Sequence, residues 1–164
     1  MPVRGGEKRE IRKGAVNLVL FIGLPATGKS TFYRERFSGT HVRLNLDMLR
    51  TRHRERLLFL ACLEGKTKVV VDNTNLTRAF RQSYLAEAAQ AGFLIEGYFF
   101  ESRVQDALRR NESRSDPERV PEAAIRGGAG SLELPSLKEG FARLYFVRLA
   151  EDGGFQVEDW KNEI

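Results

Sequence analysis

The stretch Gly23-Leu24-Pro25-Ala26-Thr27-Gly28-Lys29-Ser30, followed by Thr31, carries the clearest chemistry in the chain. Two glycines enclosing four free positions, then lysine and a hydroxyl residue, is the spacing of a phosphate-binding loop. In such a loop the backbone N–H groups of a glycine-bounded turn converge on a polyphosphate. Gly23, Ala26, Thr27, Gly28, Lys29, Ser30 and Thr31 are therefore the expected nucleotide contacts. Lys29 would neutralise the β and γ oxygens of ATP, and the Ser30 hydroxyl would hold Mg²⁺. An apolar run over residues 18–22 reads as a buried strand, and a helix-compatible segment follows over 29–37. The helix N-terminus adds positive potential at the same point. The competing reading is a tight strand-to-helix turn that happens to carry glycines.

Three further groups bear on chemistry. Asp47, in Leu44-Asn45-Leu46-Asp47-Met48-Leu49-Arg50, follows a short strand, where a carboxylate would face the γ-phosphate. It reads as the general base that phosphoryl transfer to a hydroxyl requires, or as an ordinary helix N-cap. Arg50, one helical turn later, would hold a phosphate of the acceptor. Asp72 ends an apolar strand in Asp72-Asn73-Thr74-Asn75, the position of an acid near Mg²⁺. Asp72 and Thr74 read as site-lining, while Asn73 and Asn75 could fix the loop. Arginines of Arg109-Arg110-Asn111-Glu112-Ser113-Arg114 either reach across to the transferring phosphoryl group or form a solvated basic face. Arg34, Arg36, Arg52, Arg54 and Arg56 read as a charged helix surface, and His41 and His53 are isolated, without metal-ligand spacing.

The elements that must position these groups alternate. Strands are expected at 18–22, 42–45, 68–72, 93–100 (interrupted by Gly97) and 141–149, with helices over 29–37, 48–64, 78–91 and 103–111. The second helix carries Leu57, Leu58, Leu60, Ala61 and Leu63, and the third is capped by Thr77, with Leu85, Ala88 and Ala89 inward. Residues 113–130 are polar, and Gly127-Gly128-Ala129-Gly130 makes a poor helix interior. Residues 155–157 can pair locally. Strands without a clean polar face, separated by helices, imply a parallel sheet covered on both sides, with ligands beyond the strand C-terminal ends.

The 164 residues fit a single domain, 17–164, preceded by a basic, glycine-punctuated tail over 1–16. Cys62, the single cysteine, excludes a disulfide framework and reads as a buried, inert thiol, so no disulfide-linked partner is expected. No apolar run suits a membrane span or a signal peptide, which implies a cytoplasmic protein. Net charge is +5, with 27 basic residues of which 20 are arginine. That bias suits an anionic partner such as nucleic acid, and equally a general preference for arginine.

Taken together, Gly-Leu-Pro-Ala-Thr-Gly-Lys-Ser-Thr, Asn-Leu-Asp-Met-Leu-Arg and Val-Asp-Asn-Thr-Asn-Leu resemble the 5′-hydroxyl polynucleotide kinase domain. Arg110-Asn-Glu-Ser-Arg114, Val120-Pro121, Leu134-Pro135 and Glu139-Gly140-Phe141 look like that family's lid and the approach to its last strand. The resemblance covers about residues 17–149. It implies an α/β, P-loop kinase-like three-layer αβα sandwich with a five-stranded, mainly parallel sheet and a lid near 109–130. It implies ATP and Mg²⁺ as cofactors and 5′ ends of DNA or RNA as substrate. Lys29, Asp47 and Arg114 would be catalytic, and Arg110 and Arg114 would cover the ATP phosphates. Asp47, Arg50, Thr74, Asn75 and Arg81 would face the acceptor, and Ser30 and Asp72 the metal. Leu46 stands where the family often has arginine, glycines 127–130 replace a more apolar lid segment, and no second acidic motif of the phosphatase type appears. Two alternatives stand beside this reading: a small-molecule hydroxyl acceptor on the same fold, or a nucleotide-binding module without turnover.

Overall fold

The computed structural model describes residues 15–161. Its sheet is built outward from β1 (Asn17–Ile22), whose last five residues are fully buried. Beside β1 lie β3 (Val69–Val71) and β4 (Leu94–Phe100), both parallel to it. β2 (Val42–Leu44) flanks β3, β5 (Arg143–Leu149) flanks β4, and both pairings are parallel. The order is β2-β3-β1-β4-β5-β6, and β6 (Phe155–Asp159) closes the far edge antiparallel to β5. The five parallel strands are the five expected. The local pairing at 155–157 extends into a true sixth strand. Parallel strands put their C-terminal ends on one edge, and the phosphate loop, Asn45 and Asp72 all follow strands there.

Helices α1 (Lys29–Arg36), α3 (Arg52–Glu64), α4 (Arg78–Gln90) and α5 (Val104–Glu112) connect the strands. Two apolar clusters fill the faces of the sheet. One centres on Leu20, Phe59, Leu85 and Ile95, and the other on Phe21, Phe32 and Phe100. Gly97 does not interrupt β4. It lies within the strand because a Cβ there would meet Leu144 and Phe141 at 2.7–2.9 Å. Val16 packs on the core and its carbonyl accepts a hydrogen bond from Leu94, whereas residues 1–14 of the expected tail lie outside the described residues.

Two expectations are corrected. The helix over 48–64 is two helices: α2 (Leu46–Leu49) ends at Arg50, whose φ of 77° is left-handed, and α3 restarts behind a Thr51 cap. Glu55, Phe59, Cys62 and Leu63 form the buried face of α3, while Leu57, Leu58 and Leu60 are exposed. The glycine cluster is not irregular: α6 (Glu122–Ser131) runs straight through it. Each glycine costs such a helix about 1 kcal/mol relative to alanine, and tertiary packing overrides that. Ile125 is buried with Leu24, Ala107 and Leu108, and Gly128 lets the α6 backbone close on the phosphate loop. A Cβ at Gly128 would lie 3.0 Å from Leu24 and 3.3 Å from Leu76.

Candidate active site

The phosphate loop leaves β1 at Gly23 and enters α1 through Gly28, which has φ 95° and is crowded by the Phe155 ring of β6. The Gly23 N–H donates to the Thr74 carbonyl at 3.0 Å, and the Leu24 N–H donates to Ser102 Oγ at 3.1 Å. The loop is thus fastened to the ends of both β3 and β4. Thr27 Oγ1 donates to the Leu24 carbonyl at 2.8 Å. The Lys29 ammonium is buried and donates to the Gly23 carbonyl at 2.9 Å and to the Leu24 carbonyl. Burial lowers its pKa from 10.5 to about 8; Asp72 opposes the shift, Arg114 adds to it, and Asp47 opposes it. Thr31 sits on the exposed side of α1, where its hydroxyl accepts from Arg34 at 3.2 Å.

The structure brings Ser30 and Asp72 together, with Ser30 Oγ 3.5 Å from an Asp72 carboxylate that is 1 % exposed. A hydroxyl and one carboxylate fit Mg²⁺, which typically takes one or two carboxylates and completes its shell with phosphates and water. Among the described residues no cluster of three acidic, His or Cys ligands exists, so the donor set is of this open kind. Arg43 lies between the pair: its Nε donates to Asp72 at 2.8 Å and its Nη2 to Ser30 at 2.9 Å. Arg43 is not among the residues that the motifs single out; the only sign of it in the sequence is a charged side chain in an otherwise apolar strand that leads to the site.

Asp47 stands on the exposed first turn of α2, and Asn45 is the residue that caps it, accepting from the Met48 N–H at 3.0 Å. Asp47 is therefore not needed as the cap. Its turn is clamped from below. Asn45 Nδ2 donates to the Asp72 carbonyl at 2.7 Å, and the Leu46 N–H donates to Asn73 Oδ1 at 2.9 Å. Asn73 Nδ2 in turn donates to the buried Glu55 carboxylate at 2.8 Å, which also accepts from the Tyr84 hydroxyl. Burial, then the Glu55 hydrogen bond and charge, raise the Tyr84 pKa, so this hydroxyl keeps its proton. Asn73 thus fixes the loop, and so does Asn75, whose Nδ2 donates to the Phe21 carbonyl at 2.7 Å from a left-handed backbone.

A cavity of about 460 Å³ joins these groups: Lys29, Ser30, Asp47, Asp72, Thr74 and Arg114 all line it, with Asn75 at its inner wall. Arg110 approaches from α5 and donates to the Ala26 carbonyl at 3.2 Å, on the loop itself. Arg114 lies beyond the end of α5 and donates to the Glu118 carbonyl at 3.3 Å. Arg50 is exposed at the end of α2 and lies outside the cavity wall, because the helix stops there instead of carrying it alongside Asp47. Arg81 needs a firmer correction. It is 0 % exposed, and its guanidinium is divided between Glu139, at 2.7 and 3.3 Å, and the Asn75 and Leu76 carbonyls, at 2.9 and 3.0 Å. It braces the loop after β3 from inside and cannot meet an acceptor. Arg52, read as solvated helix surface, instead lines the cavity and lies over the Phe80 ring, 5.0 Å from its centroid.

A parallel sheet with a phosphate loop after its first strand and an acid after its neighbouring strand defines a nucleotide-binding P-loop fold of the kinase type. The chain belongs to the AAA_33 family of AAA domains, whose model matches residues 18–135. It is 26% identical over 131 residues to a bifunctional polynucleotide phosphatase/kinase of Schizosaccharomyces pombe, covering 77% of this chain and 32% of that protein. The chain therefore spans about a third of the length of that relative. Its fold matches Kti12 of Chaetomium thermophilum in complex with ADP-AlF3, with TM-score 0.62 and 19% identity over 83% of this chain and 92% of the other. It also matches a sugar kinase of Janibacter sp. HTCC2649, with TM-score 0.60 and 12% identity over 81% and 85%. Among the described residues no helix is long and apolar enough to cross a membrane.

Proposed function

We propose that the chain is an ATP- and Mg²⁺-dependent kinase that phosphorylates the 5′-hydroxyl of a DNA or RNA end. The observation that carries the kinase reading is the opening of Asp47 onto the same cavity as Lys29, Ser30, Asp72 and Arg114. A donor site and an exposed carboxylate base share one space, as transfer to a hydroxyl requires. The nucleic-acid acceptor is supported by the motifs around Asp47 and Asp72 and by the name of the yeast relative.

In this reading Lys29 turns from the loop carbonyls to the β and γ oxygens of ATP. Ser30 and Asp72 would hold Mg²⁺, with Arg43 displaced from them, and the ion would supply charge neutralisation for the phosphate oxygens. Asp47 takes the proton of the 5′-hydroxyl as that oxygen attacks the γ phosphorus and the bond to the ADP oxygen breaks. Arg114, with Arg110 behind it, stabilises the charge spread over the phosphoryl oxygens. Arg50, exposed at the end of α2 and outside the cavity wall, would reach only an acceptor phosphate that lies beyond the cavity.

The test is transfer from γ-labelled ATP to 5′-hydroxyl DNA and RNA oligonucleotides, run beside a panel of nucleosides and sugars. Label on oligonucleotide 5′ ends is expected. Label on small molecules alone would replace the acceptor, and nucleotide binding without transfer to anything would leave a module without turnover.

A further inference from the structure

A second cavity of about 590 Å³ lies between α3 and α4 and shares a wall with the first. The shared residues are Arg52, Thr77 and Phe80. Phe80 is 51 % exposed on the first turn of α4 and, among the described residues, packs into no core cluster. The Arg52 guanidinium over it holds that ring at the rim of the Asp47 cavity. Arg52, His53 and Arg56 line the groove; Arg52 pairs with Glu55 at 3.5 Å and donates to the Tyr84 hydroxyl at 3.2 Å, Arg56 pairs with Glu87, and the two arginine side chains stay 56 % and 46 % exposed, so both present guanidinium surface to a strand.

We propose that Arg52 and Phe80 form a stacking step for the nucleotide that follows the reacting 5′ end, and that the α3–α4 groove carries the strand away. The proposal rests on the polynucleotide reading above and adds to it a preference for a single-stranded acceptor longer than one nucleotide. A base can stack on an exposed aromatic ring or on a guanidinium plane, and both surfaces are presented at one point. Stacking of this kind tolerates any base, so the step recognises a strand without reading its sequence. A nucleoside or sugar at Asp47 would need only the first cavity. A strand must leave it, and the Arg52–Phe80 wall is where the two cavities adjoin.

The test uses fluorescence anisotropy of a labelled 5′-hydroxyl single-stranded octanucleotide with ADP present, for the wild type, Phe80→Ala, Phe80→Trp and Arg52→Ala. Steady-state phosphorylation of the same octanucleotide and of a nucleoside 3′-monophosphate runs alongside. Phe80→Ala should weaken octanucleotide binding roughly five- to a hundredfold, the range of base–aromatic stacking. Phe80→Trp should restore it, Arg52→Ala should weaken it, and the loss in Phe80→Ala should be several-fold larger for the octanucleotide than for the mononucleotide. Octanucleotide binding unchanged in Phe80→Ala, with the wild type still phosphorylating oligonucleotides, overturns the stacking step and leaves the kinase reading standing. An equal loss for mononucleotide and octanucleotide also overturns it, because the ring would then only support the first cavity. A wild type that neither binds nor phosphorylates nucleic acid overturns both.

Discussion

The depressed pKa of Lys29 makes nucleotide affinity depend on pH in a predictable direction. In the free protein burial brings the ammonium to about 8, and its partners are neutral loop carbonyls. A bound polyphosphate supplies the opposite charge that those carbonyls lack, so the complex retains the proton. Below about pH 7 the lysine is charged in both states and affinity is insensitive to its titration. Above pH 8 the free protein loses the proton and binding must take it up again. At pH 9, one unit above the pKa, neutral lysine outnumbers charged lysine about ten to one, so affinity falls about tenfold, or about 1.4 kcal/mol. Fold stability moves the other way. The unfolded chain, with lysine near 10.5, binds more protons between pH 8 and 10.5, so this group makes the fold more stable as pH rises through that window. Loss of binding through unfolding is thereby distinguishable. Calorimetric titration of ADP from pH 7 to 9.5, in buffers of different ionisation enthalpy, should show the decline together with proton uptake. In Lys29→Arg, which keeps its charge, the slope should vanish. A wild-type affinity that stays flat to pH 9.5 would refute the argument.

Arg43 donates to both Ser30 and Asp72, so if these hold the divalent cation as proposed, Arg43→Ala should tighten Mn²⁺ binding in the presence of ADP by about tenfold, the worth of a charge-assisted hydrogen bond. Electron paramagnetic resonance of free Mn²⁺ measures it, and an unchanged affinity would mean the guanidinium leaves without cost. Glu139→Gln strands the buried Arg81 charge and should lower unfolding stability by about 3–5 kcal/mol, read from urea titration. A loss under 1 kcal/mol would show that the Asn75 and Leu76 carbonyls suffice for Arg81.

The local signals of the fold were legible because each rests on near-neighbour physics. The glycine-bounded loop, the apolar run of β3 and the Thr77 cap, which accepts from the Phe80 N–H, all appear where the sequence places them. What escaped depends on contacts distant in sequence. The helix through Gly127–Gly130 exists because Leu24 and Leu76 occupy the space beside Gly128. Arg81 carries a charge that suggests a ligand, and only Glu139, 58 residues away, shows it to be internal. Arg52 belongs to a run of alternating arginines on a helix, and nothing local marks it as the one that covers Phe80. The break at Arg50–Thr51 lies in Arg50-Thr51-Arg52-His53-Arg54-Glu55-Arg56, which holds no apolar residue, so hydrophobic periodicity carries no signal there. Asn45 and Thr51, which cap the two helices, are the local signs of that break.

Asp47 is the proposed base for a 5′-hydroxyl acceptor at a donor site organised by Lys29 and Ser30. Single-turnover transfer from γ-labelled ATP to a 5′-hydroxyl oligonucleotide, compared between wild type and Asp47→Asn, tests it most directly. A fall of about 10²–10⁴ in the transfer rate is expected, the worth of a general base, with ATP affinity within about twofold of wild type. Transfer by Asp47→Asn at the wild-type rate would mean that Asp47 is not the base.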